Sequence, residues 1–343
     1  MKKYFLLNFL LGALFCQSCS FMAEDQANAS AIANFDALWK DFDQHYGTFQ
    51  VRNLNWDSVN QVYRPQLSTA SGDAELYAVL CQMLNTLDDN HVVLEPTDHR
   101  FARHTSEADP IRSLTQDQMS LVVIRDKYLL DYTDAAPEIK FGHLPNQLGY
   151  LYIDGFNASL AHYMFELDRA LKALADTKGL VLDIRDHSGG WDNIGQYVAG
   201  RFAQKPALYM VVKKRNGPRR DQFTAPQEWW MQPAGNFQYT QPIALLTTDF
   251  TFSAAETFTL AMKRLPQVTQ IGLPTSGSFS DRIVRELPNG WRYSLSIGDY
   301  RDHTGKNWES KGLAPDIHLL TTREKVFAEK VDVVLEKAME ILR

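Results

Sequence analysis

Three stretches of this chain combine residue types that could act on a carbonyl group. In the first, Ile243 to Ala261, an apolar run (Ile243-Ala244-Leu245-Leu246) reads as a buried strand, and after a short turn Ser253-Ala254-Ala255-Glu256 opens an amphipathic helix. A serine at that junction lies beside helix N–H groups that lack intrahelical partners and favour developing negative charge, which suits a nucleophile. The same four residues also fit an S-x-x-E capping box, in which Ser253 merely caps the helix. The second stretch is Asp88-Asp89-Asn90-His91, at the exit of a helix into the strand-like Val92-Val93-Leu94. A histidine between acidic residues can be held in one tautomer and aimed at a neighbour, as a general base requires; it can equally be a polar turn residue. The third stretch, Arg185-Asp186-His187-Ser188-Gly189-Gly190-Trp191, follows a strand and precedes a helix. Its paired glycines can bring backbone N–H groups to a ligand, or serve only as a tight turn. The Gly-Lys-Ser/Thr ending of a phosphate loop is missing.

The elements that must position these residues follow from hydrophobic spacing. Phe35, Leu38, Trp39, Phe42 and Tyr46 mark one helix, Trp56 to about Tyr63 a second that ends at Pro65, and Leu76, Leu80, Met83, Leu84 and Leu87 a third. Residues 32–94 therefore read as an N-terminal helical cap domain. Residues 95–147 read as a connecting β-rich segment, with strands expected at Leu121-Val122-Val123-Ile124 and Tyr128-Leu129-Leu130. From Leu148 strands alternate with helices, the signature of an α/β layer structure, and residues 148–320 form the expected core. Within it, Gly149–Ile153, Gly179–Ile184 and Val268–Ile271 read as strands, and Lys213 to Gln241, with Trp229-Trp230, as loop. Two further runs, Ser280–Leu287 and Trp291–Ile297, are split by the hairpin signal Pro288-Asn289-Gly290. A last helix over 321–343 is expected to turn Phe327, Val331, Val334, Leu335, Ala338 and Ile341 inward.

A composition of 45% hydrophobic and 22% charged residues is that of an ordinary globular chain, so disorder is not expected. A net charge of -6 without a long Lys/Arg run argues against a nucleic-acid surface and leaves peptides or small molecules as partners. Met1-Lys2-Lys3 followed by YFLLNFLLGALF has the basic and apolar regions of an export signal, too short for a stable membrane span. It ends in CQSCS, which resembles the lipobox of bacterial lipoproteins. The expectation is a signal over 1–19, lipidation at Cys19 with Cys16 as the alternative, and a polar tether over 20–31, so that the protein sits at the cell envelope on an N-terminal lipid anchor. Only Cys81 then remains in the body, which leaves no internal disulfide, and among Leu80, Met83 and Leu84 it reads as a buried small hydrophobe.

Six ordered matches, LNTLDDNHVVL, GYLYIDGF, LVLDIRDHSGGW, FTFSAAETFTLAMK, IGLPTSG and KGLAPDI, make the chain resemble the C-terminal-processing (tail-specific) serine peptidases, in particular their tricorn-like branch. The resemblance covers most of residues 35–320 and implies an α/β (α+β) core of ClpP/crotonase-like type with βαβ units beneath the helical cap. It implies that Ser253 is the nucleophile. The lysine base of the processing branch, expected 25 positions later, is replaced by Ser278. The tricorn-like branch takes a histidine and a glutamate instead, which His91 and Glu309, three before Gly312, would supply. Asn90 stands where that branch commonly has serine. An oxyanion hole from the N–H groups of Ala254 and of Gly189 or Gly190 is implied as well. The roughly 55 residues between Leu94 and Gly149 are fewer than a PDZ module generally needs.

On this reading the chain is an exported serine peptidase acting on peptides or proteins, with Ser253 attacking, His91 as base and Glu309 orienting or polarising. No cofactor and no metal are expected, since His99 and His104 lack ligand spacing. The rival readings are a catalytically inactive binding protein of the same fold, as the resemblance includes retinoid-binding modules of the eye, and a non-peptide acyl hydrolase.

Overall fold

The computed structural model describes residues 30–106 and 118–343. The signal-like segment with Cys16 and Cys19, most of the tether and residues 107–117 lie outside the described residues. The cap begins with α1 (Ala31–His45), whose first turn is closed by Ser30 accepting the Ala33 N–H at 3.2 Å. Helices α2 (Trp56–Tyr63) and α3 (Asp73–Asn85) follow, and all three bury their apolar faces together, with Phe35, Leu38, Phe42, Trp56, Leu80 and Leu84 out of solvent. Cys81 on α3 is half-buried rather than buried. The chain then runs through β1 (Val93–Glu95) and β2 (His104–Thr105).

The connecting segment differs from the reading of its sequence. Leu121–Val123 and Ile124–Tyr128 are consecutive α- and π-helical turns, not strands. The β-branched run favours a strand by propensity, but Ser120 caps the turn, and Val123, Ile124 and Tyr128 pack on the main sheet, so tertiary burial overrides the local preference. Among its described residues the segment holds, besides β2, the strands β3 (Thr133–Ala136) and β4 (Ile139–Leu144).

The core continues with β5 (Leu148–Ile153), α4 (Leu160–Ala173), β6 (Gly179–Asp183) and α5 (Asp192–Gly200). Next come β7 (Ala207–Lys214) and β8 (Gln227–Met231), which pair antiparallel, so the Trp229-Trp230 stretch is a strand where a loop is expected. Strand β9 (Ile243–Thr247) leads to α6 (Ala254–Met262) and β10 (Val268–Gly272). The hairpin β11 (Arg282–Glu286) and β12 (Arg292–Ser296), then β13 (Gly298–Asp302), β14 (Ile317–His318) and α7 (Val333–Ile341), complete the chain. Seven strands form one sheet in the order β14-β10-β9-β6-β5-β4-β3, parallel from β14 to β5 and antiparallel beyond. Its central strands are buried on both faces: Leu180, Leu182 and Leu245 pack toward α4, α5 and α6, while Val181, Ala244 and Leu246 pack toward α7. The fold is thus an α/β core with a helical cap.

Three further details depart from the local reading. Helix α6, expected to be amphipathic, is buried along its whole length. The C-terminal helix is broken into a π turn (Glu324–Ala328) and α7, capped by Asp332, and Phe327 and Ile341 are exposed rather than inward. The β11–β12 hairpin lies within the stretch expected to belong to the core, yet β12 pairs with β1, and Leu287, Trp291, Tyr293 and Leu295 enter the cap's hydrophobic core. That hairpin joins the cap to the turn that carries His91.

Candidate active site

Ser253 sits between β9 and α6 at φ 59°, ψ -122°, a backbone conformation that L-residues rarely adopt. Hydrogen bonds from all sides over-determine it. Thr251 Oγ1 donates to Ile184 O at 2.9 Å, the Phe252 N–H to His187 O at 3.1 Å, and the Ser276 N–H to Thr251 O at 3.0 Å. The Ser253 N–H donates to Glu256 Oε2 at 3.2 Å, so the glutamate half of the capping box is made. The serine hydroxyl, however, makes no cap bond; it lies 3.1 Å from His91 Nε2.

His91 reaches that position through a tight turn after α3. Asp89 Oδ1 accepts the His91 N–H at 2.9 Å, Asp89 O accepts the Val92 N–H at 2.8 Å, and Ser294 Oγ on β12 donates to His91 O at 2.6 Å. The ring packs on Phe252 with centroids 4.5 Å apart. Burial pushes the imidazole down to about 4, with Asp89 pulling against it and Arg282 reinforcing it. A neutral ring accepting from Ser253 at Nε2 carries its proton on Nδ1, and Nδ1 is buried without a hydrogen-bond partner among the described residues.

Glu309 stands elsewhere in the site. Its Oε1 accepts from Arg52 Nη2 at 3.0 Å, and its Oε2 accepts the Phe279 and Ser280 N–H groups at 3.0 and 3.2 Å. It makes no hydrogen bond to His91 or Ser253 among the described residues. Burial, then Asp89, push its carboxyl upward, and Arg52 opposes them. Arg52, which nothing in the sequence singles out, also donates to Leu87 O and Asp88 O and lies 3.7 Å from Asp89 Oδ2. Burial opposes ionisation of Asp89, but Arg52, His91 and donors including Tyr46 outweigh it and hold the carboxyl low.

Glu256 is the second acid that spacing alone undersells. It accepts from Thr275 Oγ1 and from the Gly277 and Ser278 N–H groups, each at 2.7 Å, as well as from Ser253, and so locks the Pro-Thr-x-Gly turn to α6. Burial pushes it up to about 7, against four donors that favour the carboxylate. Ser278, at the position of the missing lysine, contributes its N–H there. Lys263 is held away by Gln270 and Asp316. Asn90 is half-buried and donates to Ser276 Oγ at 3.3 Å.

The glycine turn lies against Ser253: a Cβ on Gly189 would stand 2.8 Å from Ser253 Cβ and 3.3 Å from Ala254 N. The Gly189 N–H is buried and donates to His187 Nδ1 at 3.0 Å, whereas Gly190 is exposed. Among the described residues no group of three or more His, Cys, Asp or Glu could hold a metal ion.

Comparisons with known proteins place the chain in a family. The peptidase family S41 model matches residues 147–319, and the tricorn protease C1 domain model matches residues 28–85. Carboxy-terminal processing protease CtpA of Bacillus subtilis (strain 168) is 26% identical over 174 residues, 50% of this chain and 35% of the relative. CtpB of the same organism is 22% identical over 246 residues, 71% of this chain and 48% of the relative. The chain thus spans about half or less of the length of these curated relatives. Among solved structures, a protein assigned as a peptidase from Parabacteroides merdae is 26% identical with a TM-score of 0.79, covering 92% of this chain and 97% of that one. The tricorn protease, 14% identical with a TM-score of 0.55 over 92% of this chain and 37% of its own, shares the fold. The S41 model spans half of the chain, and the protein belongs to peptidase family S41.

Proposed function

We propose that the protein is a serine peptidase in which Ser253 is the nucleophile and His91 the general base. The observation that carries this reading is the 3.1 Å approach of His91 Nε2 to the hydroxyl of a serine held at positive φ on a helix N-terminus. In the acylation step Ser253 Oγ attacks the scissile carbonyl carbon while its proton passes to His91 Nε2. The oxyanion is received by the Ala254 N–H and by the glycine turn, where Gly190 is the better donor because the Gly189 N–H is already used. His91 then returns the proton to the leaving amine, and water repeats the sequence on the acyl-enzyme. Glu309 acts at one remove, through Arg52, by fixing the turn that bears His91. The substrate class, a peptide or protein, rests on the likeness to CtpA and CtpB, which are named as processing proteases. Export and lipid anchoring at Cys19 rest on the N-terminal sequence.

One observation favours the second reading, an inactive binding protein. Among the described residues no carboxylate meets His91 Nδ1, so an imidazolium formed there lacks the direct partner of a Ser-His-Asp triad. A fluorophosphonate probe decides between the two. Intact-mass labelling of the wild type and loss of labelling in Ser253→Ala support the enzyme; a wild type that stays unlabelled at high probe concentration supports the binding protein.

A further inference from the structure

Among the buried titratable side chains beside the site, His187 takes no part in the reaction scheme above. His187, at 0% exposure, follows β6, and its N–H donates to Ile184 O at 3.2 Å. Its Nδ1 accepts the N–H of Gly189, two residues on, at 3.0 Å, the geometry of an Asx turn with imidazole in place of a carboxamide. Its carbonyl accepts the N–H of Phe252, the residue before the nucleophile, at 3.1 Å. The glycine turn is also gripped from the other side. Phe156 N–H donates to Gly189 O at 2.7 Å, Trp191 N–H donates to Phe156 O at 2.9 Å, and a Cβ on Gly190 would stand 2.4 Å from Phe156 O. In a parallel bridge of that kind the bonds are made by the neighbours of the bridging residue, so the Gly190 N–H itself points away from Phe156.

Acceptance at Nδ1 requires a neutral ring with its proton on Nε2. Burial keeps the ring neutral by pushing it down to about 3. The Nε2 atom is buried without a hydrogen-bond partner among the described residues, and the ring meets Phe156 edge to face with centroids 4.2 Å apart. A leucine of similar volume would bury no such atom. What the imidazole adds over an apolar side chain is therefore the bond to Gly189.

We propose that His187 is the positioning residue of the oxyanion turn: it occupies the Gly189 N–H and braces the residue before Ser253, leaving the Gly190 N–H as the donor for substrate. This deepens, and rests on, the assignment of Ser253 as nucleophile. His187→Leu removes the acceptor and keeps the volume, whereas His187→Asn restores an acceptor two residues before Gly189. The measurements are kcat and KM on an internally quenched peptide, the rate of fluorophosphonate labelling, and hydrogen exchange at the Gly189 amide. His187→Leu is expected to lower kcat and the labelling rate by about 10- to 100-fold, since misplacing one oxyanion donor acts on the transition state, with KM nearly unchanged. His187→Asn is expected to recover most of the rate, and Gly189 exchange is expected to accelerate in the leucine variant only.

A folded leucine variant with wild-type kcat, or an asparagine variant that falls as far as the leucine one, overturns the proposal while leaving Ser253 in place. Should the leucine variant fail to fold, the asparagine variant decides: retained kcat supports the proposal, and a folded variant without activity overturns it. A wild type that neither cleaves peptide nor takes up the probe overturns the Ser253 assignment, and the role of His187 with it.

Discussion

Arg52 Nη2 donates to Glu309 Oε1 at 3.0 Å across 257 positions of sequence, with the two side chains only 5% and 2% exposed. The same guanidinium takes the carbonyls of Leu87 and Asp88 just beyond α3, so one buried cation fastens the turn that bears His91 to the loop that bears Glu309. Glu309→Gln leaves Arg52 facing Asp89 and two backbone carbonyls and should destabilise the fold by about 1–3 kcal/mol in denaturant unfolding, whereas Arg52→Met, which leaves buried Asp89 without its cation, should cost more. An unfolding midpoint unchanged in Glu309→Gln would show that the pair contributes nothing.

The Ser253 side chain makes no helix-cap bond. Its hydroxyl is directed at His91, and its φ of 59° is strained for any residue with a Cβ. Ser253→Ala should therefore keep stability within about 0.5 kcal/mol of wild type, as no cap bond is lost, and Ser253→Gly should be more stable than Ser253→Ala by roughly 1 kcal/mol. Thermal melts of the two variants check this. Equal stability of alanine and glycine at this position would remove the strain argument.

As the proposed base, His91 must be neutral to take the serine proton. Burial, only partly offset by Asp89 and Asp281 and reinforced by Arg282 and Arg52, places its titration at about 4 instead of the ordinary value near 6.5. The acid limb of kcat/KM, which reports the free enzyme, should therefore lie near 4, with activity retained at pH 5–6. Because the folded value lies below the unfolded one, the neutral ring's contribution to stability is present above about 6.5 and is lost as pH falls toward 4. His91→Ala should lower kcat/KM about 10⁴-fold or more, nearly as far as Ser253→Ala, since the two act as a unit. An acid limb centred at 6.5 would contradict the burial of this ring.

The C-terminal helix is tied to the core by charge as well as by packing. Arg185 Nη2 lies 2.6 Å from Asp183 Oδ2 and 2.8 Å from Asp332 Oδ2, with all three side chains at most 1% exposed. Asp332 also accepts the Leu335 N–H at 2.9 Å and so caps α7. Asp332→Ala should cost about 3–5 kcal/mol in denaturant unfolding. A loss below about 1 kcal/mol would mean that the apolar face of α7 alone holds it down.

Anchoring is tested at the other end of the chain. Cys19→Ser should move the protein from the membrane fraction to the soluble fraction on cell fractionation and alter the mass of the mature N-terminus. A variant that remains in the membrane fraction with unchanged mature mass would exclude lipidation at Cys19 and turn attention to Cys16.

Local chemistry made much of this protein legible in its sequence. The apolar strands at Ile243 and Gly179, the cap helices and the Pro288-Asn289-Gly290 hairpin follow from periodicity and turn residues, which act over a few positions. Ser253 at a strand-to-helix junction, His91 after two aspartates and the Gly189-Gly190 turn can be named as candidates for the same reason. Tertiary structure alone decided what each of them meets. Leu121 to Ile124 carry a strand-like pattern but became helical because Val123 and Ile124 find their burial on the main sheet. The β11–β12 hairpin joined the cap because β12 completes a sheet with β1. Glu309 went to Arg52 rather than to His91, and the Gly189 N–H went to His187, leaving Gly190 exposed. Partner choice of this kind depends on which polar groups are desolvated together, and chain distance carries no information about that.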